Sequence, residues 1–157
     1  MTSHDTTMSN AIEIRPYQEG DEAAVVALWR EAFPDAPSHN CPAADIRRKL
    51  DVQRDLFLVA VTAAGDLVGS AMAGYDGHRG WVYYVAVRCD HRQRSIGRAL
   101  MRRVEQDLAA RGCPKVNLQV RAGNEAVVAF YRRLGYDVEE RVSMGKRLPA
   151  AGPACVR

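Results

Sequence analysis

A chain of 157 residues, 47% hydrophobic and 26% charged, with a formal net charge of +3, has the composition of one soluble globular domain. No apolar stretch reaches the ~20 residues needed to cross a bilayer, and residues 1–10 are polar, without the apolar core of a secretion signal, so a cytoplasmic protein with no membrane partner is expected. The charge is too mild to argue by itself for nucleic acid.

Residues 1–10 read as a disordered tail, 11–148 as a single domain and 149–157 as a frayed C-terminal tail. Ala11 to Pro16 alternates apolar and polar residues, which predicts a strand. A helix opens near Gly20–Asp21 with Ala24, Val25, Leu28 and Trp29 on one face, and stops before Pro34. Phe33 to Pro42 holds three prolines and reads as a loop, and Ala43 to Val52 as a short basic helix. Leu56–Thr62 and Leu67–Tyr75 form a strand pair joined through Ala64-Gly65-Asp66, a hairpin signal. Trp81–Val87 is the next strand. Ser95–Arg111 is a long amphipathic helix expected to bury Ile96, Ala99, Leu100, Val104 and Leu108 before Gly112 and Pro114 end it. Val116–Arg121 reads as a strand, and Asn124–Leu134 as a helix with Val127, Phe130 and Leu134 inward. Final strands are expected within Tyr136–Leu148. The order describes a mixed α/β layer.

Four cysteines, Cys41, Cys89, Cys113 and Cys155, are scattered without a Cys-x-x-Cys or a histidine at ligand spacing. Reduced thiols and no metal site are the expectation.

The stretch Arg92-Gln93-Arg94-Ser95-Ile96-Gly97-Arg98-Ala99 carries the most chemistry. It links an apolar strand to a helix, and such a turn leaves several backbone N–H groups unpaired and pointing one way, with the helix dipole adding positive charge. Arg92, Arg94 and Arg98 surround it, so polyphosphate is the expected guest. It is neither a Walker loop nor Gly-x-Gly-x-x-Gly. The alternative is a solvated basic turn with Ser95 as a plain N-cap. Arg102 and Arg103 continue the charge and raise a nucleic-acid reading, but no aromatic residues interleave with these arginines as a single-strand platform requires.

The pattern Arg/Gln-x-x-Gly-x-Gly/Ala, with Ser95 in place of the first glycine, resembles the coenzyme A loop of the GNAT N-acetyltransferases. Asn117-Leu118-Gln119-Val120-Arg121-Ala122-Gly123-Asn124, then Ala129-Phe130-Tyr131-Arg132-Arg133-Leu134-Gly135-Tyr136, resemble that family's C-terminal half. With Gly74–Trp81 and Val142–Leu148, the likeness is closest to the YpeA-type branch, relatives of RimI, and runs from about Ile12 to Leu148. It implies an α/β (mixed α+β) GNAT fold: a central, mostly antiparallel twisted sheet of six to seven strands, splayed in the middle and flanked by about four helices.

The resemblance also implies an acetyl-CoA-dependent N-acetyltransferase that moves an acetyl group directly to a primary amine: a protein N-terminus, a lysine or a small amine. Acetyl-CoA would be a cosubstrate, with no metal, no nucleic-acid partner, and a monomer or homodimer. Val85, Ala86 and Val87 would pair with the pantetheine arm and offer an N–H to the acetyl oxygen. Arg92, Gln93, Arg94, Ser95, Ile96, Gly97 and Arg98 would hold the pyrophosphate. Asn124, which helix capping alone also explains, would contact the coenzyme. Tyr131, otherwise a packing residue, would protonate the departing thiolate; its reference pKa of about 10 keeps it protonated at neutral pH. Serine at position 95 implies a modest loss of CoA affinity if the loop needs glycine's conformation.

The general base stays open. RimI-like sequences carry Glu where this chain has Gln119, whose amide cannot take a proton. Asp76, His78, or a water held by Tyr83 or Tyr84 are the alternatives. The missing Glu and Ser95 motivate a second function class, a non-catalytic acetyl-CoA-binding sensor.

Overall fold

The computed structural model describes residues 11–37, 39–92 and 94–149. The chain divides into two compact units, one ending at Leu118 and the other starting at Gln119. The first holds β1 (Ile12–Pro16), α1 (Glu22–Ala32), α2 (Pro42–Leu50), β2 (Phe57–Thr62), β3 (Leu67–Tyr75), β4 (Gly80–Val87), α3 (Ile96–Ala110) and β5 (Val116–Leu118); the second holds α4 (Glu125–Arg133).

Local chemistry sets these boundaries. Before α1, the Gln18 N–H donates to Asp21 Oδ2 at 2.8 Å, and Arg15 grips the same carboxylate at 2.7 and 3.0 Å, which anchors β1 to the helix entrance. Pro42 occupies the first turn of α2, where its missing N–H costs no helix bond. Gly65 turns the β2–β3 hairpin at φ +91°.

The sheet runs β1-β2-β3-β4-β5, antiparallel through β4 and parallel for β4–β5. On one face Phe57, Val59, Val61, Met72 and Ala86 pack with Val25, Leu28 and Trp29 of α1 and Ile46 of α2. Neighbouring residues of a strand point to opposite faces. Ser70 thus meets Trp29 of α1, whereas a Cβ at Gly69 would lie 3.1 Å from Leu100 and 3.2 Å from Ile96 of α3. Gly80 likewise gives α3 room: its Cβ would come within 2.8 Å of Leu108.

The expected elements from β1 to α4 all form, with corrections. The sheet has five strands rather than six to seven. The stretch from Tyr136 to Leu148 holds no strand: the Arg141 N–H bonds to the Glu139 carbonyl two residues back, a local turn in place of a ladder, and Val138, Val142, Met144 and Leu148 are exposed. β5 ends at Leu118, so Gln119, Val120 and Arg121 lie outside the ladder. In α3 it is Met101, not Ala99, that joins Ile96, Leu100, Val104 and Leu108 in the core, a rotation of the stripe toward the longer side chain. In α4 Tyr131 is the buried residue, while Val127, Phe130 and Leu134 are half-covered. Cys41 is the N-cap of α2, and Cys89 and Cys113 are free thiols. Both predicted tails, and Cys155 in the second, lie outside the described residues.

Candidate active site

β4 is irregular where chemistry is expected. Its register against β3 pairs Ser70 with Ala86 and Met72 with Tyr83, so Tyr84 and Val85 together stand opposite Ala71. That is a β-bulge, and it re-aims the backbone. Tyr84 takes φ +52°, a left-handed conformation that a bulky residue adopts only when its surroundings impose it. Its ring stacks on Trp29 with centroids 3.8 Å apart and meets Phe33 edge-on at 5.7 Å. Its hydroxyl donates to Asp45 Oδ2 at 2.7 Å, and its carbonyl accepts from Ser70 Oγ at 2.8 Å. Burial first, and the Asp45 carboxylate second, push the Tyr84 phenol well above its ordinary range. Tyr84 is therefore protonated at every physiological pH.

β5 pairs with β4 only at Gly80, Trp81 and Val82, and Val85, Ala86 and Val87 lie beyond that ladder.

Past Val87, Arg88 pairs with Asp90 at 2.7 Å, and a short 3-10 turn over Cys89–His91 leads to α3. Ser95 precedes α3 at φ +61°, ψ +18°, and its side chain makes no capping bond. The first turn's N–H groups have no intrahelical acceptor, and among the described residues no side chain caps them. The amides of Ile96, Gly97 and Arg98 are flanked by the exposed Arg92, Arg94 and Arg98, an arrangement that suits an anion. Along α3 an open groove is lined by Ser95, Arg98, Arg102, Arg103 and Gln106. Arg103 is occupied, bonding to Asp107 and to the Ile14 carbonyl, so the arginines do not form one free basic stripe. Gln93 lies outside the described residues.

In the second unit, Asn124 Oδ1 accepts from the Val127 N–H at 3.3 Å, which makes it the N-cap of α4. Tyr131 is 9% exposed, with Phe130 and Tyr136 edge-on at 5.0 and 5.7 Å. Burial pushes its phenol up to about 12. Gln119 Nε2 donates to Ser143 Oγ at 2.5 Å.

The base candidates separate by position. Asp76 accepts from the His78 and Arg79 N–H groups at 2.8 and 2.7 Å, and those bonds hold its carboxyl below the usual range. It serves its own turn. That turn precedes Gly80, and at about 3.3 Å per residue the intervening strand puts Asp76 and His78 on the order of 16 Å from Val85. Tyr83 is 51% exposed, and Tyr84 holds Asp45 at the bulge. Sequence reasoning passed over Asp45 and Ser70, and read Trp29 only as part of the apolar face of α1. Of the two passed over, only Ser70 left a trace, as a hydroxyl inside the apolar run Val68–Ala73.

Comparison with known proteins gives the family. The model of the acetyltransferase (GNAT) family matches residues 23–136. The chain belongs to the GNAT family of acetyltransferases. It is 49% identical over 138 residues to an acetyltransferase of Sodalis glossinidius, covering 87% of this chain and 96% of that protein. It is 47% identical over 137 residues to one of Pectobacterium atrosepticum, with the same coverage of 87% and 96%. Among solved structures, an aminoglycoside N-acetyltransferase in complex with CoA superimposes with a TM-score of 0.72 at 20% identity, covering 87% of this chain and 95% of that one. The ribosomal-protein-S18-alanine N-acetyltransferase of Escherichia coli gives 0.67 at 22% identity, with coverage of 80% and 77%. At these identities the structural likeness establishes the fold alone.

Proposed function

We propose that this chain transfers the acetyl group of acetyl-CoA directly to a primary amine. The observation that carries the reading is the opening of α3: a left-handed Ser95 with no capping bond, three first-turn amides and the flanking arginines. Such a helix start is built for a phosphate group, and it follows directly on the bulged strand. Arg92, Arg94, Ser95, Ile96, Gly97 and Arg98, with Gln93, hold the pyrophosphate. Val85, Ala86 and Val87 guide the pantetheine arm, and Asn124 adds a polar contact to the coenzyme.

The amine nitrogen attacks the acetyl carbonyl carbon, the C–S bond breaks, and the sulfur leaves with that bond's electrons. Tyr131 supplies the proton that turns the thiolate into a thiol. A phenol pushed up to about 12 by burial is fully protonated at neutral pH and ready for this role. A main-chain N–H at Val85 stabilises the charge that develops on the acetyl oxygen, a contribution worth on the order of 10²–10³ in rate in related chemistry. The attacking amine loses its proton to water, since the Gln119 amide cannot take it and Asp76 and His78 stand at the far end of β4, and a proton from solvent restores the Tyr131 phenol.

The test is thiol release from acetyl-CoA against a panel of small amines, N-terminal peptides and lysine peptides, with Tyr131→Phe as control. Turnover with a subset of amines, reduced in Tyr131→Phe while acetyl-CoA still binds, is the expected result. A flat panel with acetyl-CoA bound would replace the enzyme with a coenzyme sensor.

A further inference from the structure

The bulge in β4 is held by a buried relay from α1. Trp29 Nε1 donates to Ser70 Oγ at 2.8 Å, and Ser70 Oγ donates to the Tyr84 carbonyl at 2.8 Å. The roles admit no alternative. An indole N–H is a donor only, so the Ser70 oxygen must accept from it, and the single hydroxyl proton is left for Tyr84. Ser70 has no solvent exposure and Trp29 is 1% exposed, so no bulk water competes for either bond.

The C=O and N–H of one trans peptide point in opposite directions. A Tyr84 carbonyl drawn toward Ser70 therefore turns the Val85 N–H away from Ser70. A regular β3–β4 ladder would instead spend these main-chain groups on the register opposite Ala71. The positive φ of Tyr84 is a cost, offset by the Ser70 bond, the stacking on Trp29 and the hydroxyl bond to Asp45.

The geometry points to Ser70 and Trp29 as positioning residues: their relay fixes the Tyr84–Val85 peptide and thereby aims the Val85 N–H at the acetyl oxygen. This rests on the acetyl transfer proposed above and adds residues that touch neither substrate. Removing the Ser70 hydroxyl orphans a buried indole N–H and a carbonyl together. The peptide then gains by turning back toward the ladder, and the oxygen site loses its donor while the α3 phosphate site, built on other residues, is untouched.

The test is difference infrared spectroscopy of acetyl-CoA carrying ¹³C at the acetyl carbonyl, bound to the full chain and to Ser70→Ala, with calorimetry of CoA on both. The wild-type chain is expected to lower the carbonyl frequency relative to free acetyl-CoA. Ser70→Ala should lose about half or more of that shift while its CoA Kd changes by less than ~3-fold, since only the oxygen contact is disturbed. Identical shifts in the two proteins, or no shift in the wild type despite binding, overturn the relay. Parallel loss of shift and CoA binding also overturns it, because Ser70 would then only support the fold. A wild-type chain that binds no acetyl-CoA overturns the functional reading instead. If Ser70→Ala does not fold, Trp29→Phe, which keeps an aromatic ring but deletes the donor, is judged by the same criteria.

Discussion

Replacing Ser95 by glycine separates two readings of the phosphate loop. Ser95 sits at φ +61°, ψ +18° and is exposed, and its hydroxyl makes no capping bond, so the substitution removes neither packing nor a cap. A left-handed conformation costs an L-residue roughly 1–2 kcal/mol that glycine does not bear. Glycine's extra freedom in the unfolded chain returns about 0.5–1 kcal/mol of that. The net expectation is a gain of about 0.5–1 kcal/mol, or roughly 1–4 °C in Tm for a chain of this size. Urea and thermal unfolding read the stability, and calorimetry with CoA reads the site. Because serine already holds the conformation glycine would supply, CoA affinity should stay within ~3-fold. The sequence alone suggested a modest loss of affinity from Ser95, and this titration decides between the two. A loss of stability would refute the reasoning by showing that the hydroxyl caps the helix. CoA binding tightened tenfold or more would refute it differently, by showing that serine keeps the amides out of register.

Tyr131→Phe should lower the rate of thiol release about 10²-fold, within the range for general acid catalysis, with acetyl-CoA affinity unchanged by calorimetry. The same variant has a pH signature. Tyr131's phenol is pushed up to about 12 in the fold against about 10 unfolded. The folded chain therefore keeps a proton that the unfolded chain releases between those values. Stability should fall by about 2 kcal/mol as pH rises through that window, and Tyr131→Phe should lack this share of the loss. Gly80→Ala would put a methyl 2.8 Å from Leu108 and 3.0 Å from Cys113, and overpacking of this kind costs about 1–3 kcal/mol in denaturant titrations. Arg94→Ala and Arg98→Ala should each weaken CoA binding about 3–10-fold at low salt, and less as added salt screens the exposed charges.

The parts legible in the sequence were those set by local chemistry. Amphipathic spacing placed α1 and α3, the Gly65 turn placed the β2–β3 hairpin, and the Arg-rich turn before Ile96 marked the opening of α3. Ser95 was found, but not its left-handed backbone, which no residue type other than glycine or asparagine announces. The bulge at Tyr84 was invisible because it arises from the register against β3 and from three side chains far apart in sequence: Trp29, Asp45 and Ser70. Final strands were expected within Tyr136–Leu148, yet a strand needs a neighbour to bond with, and Arg141 bonds to Glu139 instead. Asp76 and His78 were attractive by residue type alone; the structure places them in the turn before Gly80, at the opposite end of β4 from the bulge.

The most direct test of the account is calorimetric titration of the folded chain with acetyl-CoA. Saturable one-to-one binding with a Kd on the order of 1–100 µM, within the usual range for enzyme substrates, is the predicted outcome. Absence of binding at millimolar acetyl-CoA, in protein shown to be folded, would contradict it.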